Sequence, residues 1–208
     1  MSPGRQAGGI IDKGGALAVE GPLKLDLGCG TSKRGPDFVG VDVLDGPGVD
    51  VVGDALDVLR ALEDERVVEV YSAHFFEHVD DLSALIDELE RVLVVGGRLH
   101  VIVPHFSNPY YYSDPTHRRP FGLYTFSYFA DDPVLRRRVP TYGRDPRLRL
   151  QAARLVFRSA IEFRARYRAK AALGWLVNRS VWAQEFYEEN LAGIVPCYEL
   201  DFELVKVR

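Results

Sequence analysis

Leu25 to Ser32 reads LDLGCGTS, a short apolar run that stops on Gly28 and meets a second glycine at Gly30. Such a run fits a buried strand leading into a loop whose backbone can approach a ligand, because glycine carries no Cβ to stand in the way. Open α/β sheets bind small molecules just beyond the carboxyl ends of their strands. A phosphate-binding P-loop would continue with Gly-Lys-Ser/Thr, which is absent. The dinucleotide pattern G-x-G-x-x-G keeps only its first two glycines, with Lys33 in the last place. Two glycines alone decide little, so the reading depends on the residues downstream of them.

Downstream lies a series of similar runs. FVGVDV ends near Asp42, VDVVGD closes at Asp54, VVEVYSA is β-branched and aromatic, and RLHVIVP runs to Pro104. Continuous apolar runs of this length fit strands buried on both faces of a parallel sheet. DDLSALIDELERVLVVGG is the best helix: Leu82, Leu85, Ile86, Leu89, Val92 and Leu93 recur at helical spacing. Asp80 or Asp81 supplies the N-cap, and Gly96-Gly97 the stop. Toward the carboxyl terminus, AIEFRARYR and CYELDFELVKV alternate as half-buried strands, and their arginine and acid faces predict an antiparallel pairing. Between them a helix is expected, interrupted near Asn178, with Gly193 near its end.

At 208 residues the chain has room for one domain with a substantial core. Its 47% hydrophobic and 27% charged residues are those of a globular protein, and no apolar run reaches the length of a membrane span. The net charge of −4 gives no reason to expect a polyanionic partner. Cys29 and Cys197 are too few for a disulfide framework, which points to a reducing cytoplasm. Residues 1–21 have neither a basic start nor an apolar core and read as a flexible lead-in.

His74 to His78, HFFEH, matches the inverted zinc-hydrolase pattern H-x-x-E-H. That chemistry needs both imidazoles on one helical face. With the next helix starting near residue 81, the motif falls on a strand-to-helix junction, so no two-histidine clamp is preformed and no metal is expected there.

Taken in order, LDLGCG, VGVDV, GDAL, HFFEHV and RVLVVGGRLHVIVP resemble the class I S-adenosylmethionine-dependent methyltransferases, in particular the type 11 group. The resemblance runs from about Leu23 to Pro104. It implies S-adenosylmethionine as cofactor, with Asp26, Gly28 and Gly30 at its methionine part, Asp42 at the ribose, Asp54 with Ala55 at the adenine, and His74 lining the pocket. It also implies a single-domain, Rossmann-like α/β sandwich over residues 22–208, with a mostly parallel sheet, an antiparallel C-terminal strand, and a lid inserted after the fifth strand. Two departures stand out. Ser32 occupies the place of a frequent third glycine, and only about ten residues join the first two strands, so the usual first helix must be abbreviated.

The insertion, residues 105–150, opens with PHFSNPYYYSDPTHRRPFGLYTFSYF. Long loops in compact domains are usually lids or binding loops. This one is similar to the PH…DPTH…F segment of methyltransferases in glycan and polysaccharide biosynthesis. Methyl transfer to a hydroxyl needs a base, and histidine suits that task. His117 and His105 are the candidates, with Asp114 orienting an imidazole or binding a cation; Asp114 before Pro115 also reads as ordinary turn chemistry. The arginines at 136, 137, 138, 144, 147 and 149 read as a solvated loop or as a contact for an anionic acceptor. The expected acceptor is a small molecule or glycan, with neither nucleic acid nor membrane as partner. The alternative is a non-catalytic protein of the same fold that binds the cofactor.

Overall fold

A computed structural model describes residues 9–159 and 162–208. The strands are β1 (Ile11–Asp12), β2 (Leu23–Leu27), β3 (Val39–Asp42), β4 (Val51–Val52), β5 (Val67–Ala73), β6 (Leu93–Pro104), β7 (Ala130–Asp131), β8 (Leu148–Val156) and β9 (Glu199–Lys206). They form one sheet in the order β1-β4-β3-β2-β5-β6-β9-β8-β7. From β4 to β6 every neighbouring pair is parallel, so the ends of β2, β3, β4, β5 and β6 share one carboxyl edge. β9 runs antiparallel between β6 and β8, and β1 runs antiparallel to β4. The expected α/β fold with its antiparallel C-terminal strand is present.

The apolar runs become strands for the reason their patterning suggested. Leu25, Leu27, Val41, Val70, Leu99, Val101 and Val103 have no exposed surface. Burying side chains of this kind contributes about 1.5–3 kcal/mol each. Helix α1 (Ala55–Ala61) joins β4 to β5, and α2 (Leu82–Val92) joins β5 to β6; the two pack against each other. Asp81 caps α2, accepting from the Ala84 N–H at 3.0 Å, and Leu82, Leu85, Ile86, Leu89 and Val92 form its buried face.

Several expectations need correction. Helix α2 stops at Val92, not at Gly96-Gly97, because Leu93 already pairs with Val67 and the β-branched Val94 and Val95 extend β6 backwards. The glycine pair instead lies where the β5–β6 register shifts, with Gly96 at φ +83°. The expected strand over AIEFRARYR is absent where described: Arg164–Val177 is helix α3, and Ile161 lies outside the described residues. The side chains from Arg164 to Arg168 are exposed, so no buried face enforces a two-residue period, and the alanines of RARYRAKAALGWLV favour helix. The antiparallel partner of β9 is β8, LRLQAARLV, where Arg154 Nη1 meets Glu203 Oε1 at 2.5 Å. A register shift between Leu150 and Ala152 breaks the alternation of β8, and this break conceals the strand in the sequence.

The interruption at Asn178 is real. Asn178 ends α3, and Ser180 caps α4 (Val181–Asn190), accepting from Ala183 N–H. No helix joins β2 to β3 among the described residues, only turns. The lead-in contributes to the fold as well, since Ile11–Asp12 adds an edge strand and Asp12 accepts from Ala16 and Leu17 N–H. The insertion divides in two: Phe121, Leu123, Phe126 and Leu135 are buried in the common core, while Tyr110, Tyr112 and Asp114 are exposed.

Candidate functional site

The glycine loop turns away from the end of β2 with Gly28 at φ +71° and Gly30 at φ +57°, a region that L-residues seldom enter. A Cβ on Gly28 would lie 2.5 Å from Phe75 Cβ and under 3 Å from its ring. A Cβ on Gly30 would meet nothing within 4 Å. The loop therefore rests on Phe75 and leaves open space at Gly30.

Two acids flank it, and a third, Asp54, stands at the start of α1. Asp26 is buried and accepts from the Arg34 N–H at 2.6 Å; burial pushes its carboxyl up to about 6. Asp42 accepts from the Gly30 N–H through Oδ2 and from the Leu44 N–H through Oδ1, both at 2.9 Å. A carboxylate offers about four acceptor sites, so a diol can still be received there. Asp54 accepts from the Leu56 N–H at 2.9 Å as N-cap of α1, and Ala55 is buried behind it. Open backbone at Gly30 beside acceptors at Asp26 and Asp42 fits the ammonium and ribose diol of S-adenosylmethionine. Cys29 offers no nucleophile: burial pushes its thiol up to about 12.

The HFFEH junction is not a helical clamp. His74 follows β5 at φ +57°, and a single 3₁₀ turn covers Phe76–His78. His74 Nε2 meets Glu199 Oε1 at 2.9 Å, and its Nδ1 lies 3.5 Å from Glu77 Oε1. Glu199, then Glu77, push the His74 imidazole up to about 9. A histidine raised from 6.5 in this way contributes stability that is fully present below about pH 6.5 and lost as pH rises through 9. Urea midpoints at pH 6 and pH 9.5 should therefore differ more for the wild type than for His74→Gln. Equal differences would remove this ion pair from the account.

His78 turns the other way, toward the insertion. Its Nδ1 lies 2.9 Å from Thr116 Oγ1, whose hydroxyl donates to Asp114 Oδ1 at 2.5 Å. The His117 ring lies edge-on to His78 with centroids 4.8 Å apart and stacks on Tyr111 at the same distance. His117 Nδ1 donates to the Tyr111 carbonyl at 2.8 Å, and its Nε2 lies 3.8 Å from Asp114 Oδ2. The Arg118 N–H donates to the Glu77 carbonyl at 2.7 Å, tying the DPTH turn to the junction. The structure thus brings His117 and Asp114 together beside the carboxyl edge. Glu77 and His78, which the sequence offered only within a supposed zinc motif, complete the group.

His105 does not join them. It is fully buried, its Nδ1 accepts from the Ser107 N–H at 3.0 Å, and its Nε2 faces Glu188 Oε2 at 3.2 Å. With both nitrogens engaged, it has no lone pair to serve as a base and holds the insertion to α4 instead. The expected arginine cluster also lies elsewhere, since Arg149 pairs with Asp131 at the opposite end of the sheet and Arg144 pairs with Asp87. Cations near the carboxyl edge include Arg158, whose Nη2 lies 3.1 Å from Glu199 Oε2, and beyond it Arg166 and Lys170. Together with Tyr110 and Tyr198 they line a cavity of about 660 Å³. The sequence carried no sign of this, because Arg158 just beyond β8 and Glu199 at the start of β9 are brought together by a strand pairing it did not reveal.

Residues 25–101 match the Methyltransferase domain family. Among solved structures, an S-adenosylmethionine-dependent methyltransferase from Archaeoglobus fulgidus is 17% identical, with 90% of this chain and 87% of that one covered at a TM-score of 0.54. Phosphoethanolamine N-methyltransferase 2 of Haemonchus contortus, solved with S-adenosyl-L-methionine, is 16% identical over 90% of this chain and 49% of that one, at 0.53. A putative methyltransferase of Haloferax volcanii, solved in complex with the activator Trm112, is 18% identical over 93% and 88%, at 0.51. A comparison with curated proteins found no match.

Proposed function

We propose that this chain is a class I S-adenosylmethionine-dependent methyltransferase that methylates a hydroxyl of a small-molecule acceptor, a sugar, glycan or secondary metabolite. The observation that carries this reading is His117. Its Nδ1–H is fixed by a backbone carbonyl, so the neutral ring directs the lone pair of Nε2 outward beside Asp114. A hydroxyl acceptor needs such a group, since its oxygen must lose a proton as it attacks.

The bound cofactor supplies an electrophilic methyl group and leaves with the bonding pair on its sulfur. Asp26 receives the ammonium, Asp42 the ribose hydroxyls, and Asp54 with Ala55 borders the adenine. His74 stands at the pocket wall, held by Glu199. His117 Nε2 draws the proton from the acceptor hydroxyl, and Asp114 balances the positive charge. The residues of 106–120 exclude water, so that alignment of the reacting atoms supplies much of the acceleration. The acceptor enters through the cavity beside Glu199, where Arg158, Arg166 and Lys170 suit an anionic handle such as the phosphates of a nucleotide sugar. Buried free thiols at Cys29 and Cys197 support a reducing cytoplasm as its site of action.

Calorimetry with S-adenosylmethionine and its demethylated product tests the reading. The wild type should bind both, and Asp42→Ala, which removes two acceptors from the ribose diol, should bind about 10–100-fold more weakly. Absence of binding to the wild type, or unchanged binding by the variant, would overturn the assignment.

A further inference from the structure

A carboxylate oxygen of Glu77, a ring nitrogen of His78 and a ring nitrogen of His117 lie within 4.8 Å of one another. Two independent features set this group apart from a chance meeting of polar side chains. The first is Glu77 itself. Its residue surface is fully buried, and neither carboxylate oxygen has a hydrogen-bond partner among the described residues. Its ion pair among the described residues is with His74, whose Nδ1 lies 3.5 Å from Oε1 while Nε2 meets Glu199, so Oε2 keeps no partner of its own. Buried carboxylates are ordinarily hydrogen-bonded, paired closely or bound to a metal.

The second feature is the orientation of the two imidazoles. The Thr116 hydroxyl gives its only proton to Asp114, so it accepts from Nδ1–H of His78. The Tyr111 carbonyl can only accept, so Nδ1 of His117 also carries a proton. Both neutral rings therefore present a lone pair at Nε2. An N–H fixed by a carbonyl, hydroxyl or carboxylate on the far nitrogen is the arrangement that orients metal-binding histidines. The Arg118 to Glu77 backbone bond holds the two halves of the group in place.

We propose that Glu77, His78 and His117 bind a divalent transition-metal ion of the zinc, cobalt or manganese kind, and that the acceptor hydroxyl binds to this ion. Two imidazoles and one carboxylate suit these ions, whereas magnesium and calcium favour oxygen ligands. Three protein ligands leave coordination positions open for an acceptor oxygen. The proposal rests on the methyltransferase reading and deepens it: the lone pair of His117 is spent on the ion, which acidifies the hydroxyl in place of direct proton abstraction by the ring. Coordination makes the hydroxyl easier to deprotonate. The proton passes to Asp114, which is partly exposed, and on to solvent. The electron pair left on the oxygen forms the bond to the methyl carbon, and the pair of the broken carbon–sulfur bond stays on sulfur. The metal pattern in HFFEH is thus half used. Its Glu-His pair is completed by a histidine of the insertion, while His74 serves Glu199.

The test uses the full chain, stripped with a chelator and titrated with cobalt(II), followed by visible absorption and calorimetry, with S-adenosylmethionine binding measured in parallel. The wild type should take up one equivalent of cobalt. Glu77→Gln, His78→Ala and His117→Ala should each weaken uptake by more than tenfold, and Thr116→Val, which only removes the orienting hydroxyl, by about 10–100-fold. His100→Gln, whose ring pairs with Asp201 on the sheet, should bind cobalt as the wild type does. A wild type that binds S-adenosylmethionine yet takes up no stoichiometric cobalt overturns the proposal and leaves the methyltransferase reading standing. Equal uptake by all the variants also overturns it, because the ion would then sit elsewhere. Failure of the wild type to bind S-adenosylmethionine counts against the methyltransferase reading instead.

Discussion

Replacing His117 with alanine is expected to lower methyl-transfer turnover by about 10²–10⁴-fold, the usual contribution of a positioned acid or base, while S-adenosylmethionine binds nearly as before. The two effects separate because His117 belongs to the insertion and touches Tyr111, His78 and Asp114, whereas the residues proposed to hold the cofactor lie on the glycine loop and at the end of β3. Alanine removes the lone pair at Nε2, whether it takes the proton directly or holds an ion that acidifies the hydroxyl. It also removes a ring stacked on Tyr111, so thermal unfolding should be measured alongside to confirm that the variant is folded. The acceptor can be found by offering radiolabelled methyl donor with panels of sugars and nucleotide sugars, and turnover then compared on that acceptor. A variant that turns over within a few-fold of the wild type would show that no base acts from this loop. A nitrogen acceptor, which already carries its lone pair, would then be the better account.

Gly28→Ala is expected to be the most damaging single methyl group in the cofactor loop. Two costs coincide there. At φ +71° an L-residue is in left-handed space, at about 1–2 kcal/mol. The new Cβ would also sit 2.5 Å from Phe75 Cβ, and forcing an extra methyl into packed surroundings costs about 1–3 kcal/mol. Together they predict destabilisation of about 2–5 kcal/mol, or, if Phe75 yields, a displaced loop that binds S-adenosylmethionine poorly. Gly30→Ala provides the comparison, because its φ is equally unusual but its Cβ meets only open space. Chemical denaturation of both variants distinguishes the terms. Should Gly28→Ala prove no less stable than Gly30→Ala, the Phe75 contact is not what fixes the loop.

Legibility of the site in the sequence divides along similar lines. Asp42 and the glycines could be placed from sequence because each lies at the end of a strand, and parallel strands deliver their ends to one edge. The roles expected of them come from the family resemblance. The Glu77, His78 and His117 group could not be assembled this way, since His117 lies 39 residues beyond His78 in a segment without regular structure. Base candidates were named as His117 and His105 alike, and the sequence offered no reason to separate them. Only packing did so, by burying His105 against Glu188 and leaving His117 Nε2 beside Asp114.

Local sequence was enough for the parallel half of the sheet and for helix α2 with its Asp81 cap. These rest on periodicity, on capping and on glycines at strand ends, all of which act within a few residues. The carboxyl-terminal half was settled by tertiary contacts. Residues 164–168 alternate, yet they become helix because nothing buries either face; LRLQAARLV fails to alternate, yet it becomes β8 because a bulge lets it pair along β9. A strand's identity there is fixed by its partner, and the partner is chosen by burial and hydrogen bonding across long stretches of chain. The pairing that seats Glu199 beside β6 also carries its carboxylate to His74, and the turn that anchors Arg118 on Glu77 carries His117 to His78. Contacts of that range have no periodic trace in a sequence, because they depend on where the folded chain returns.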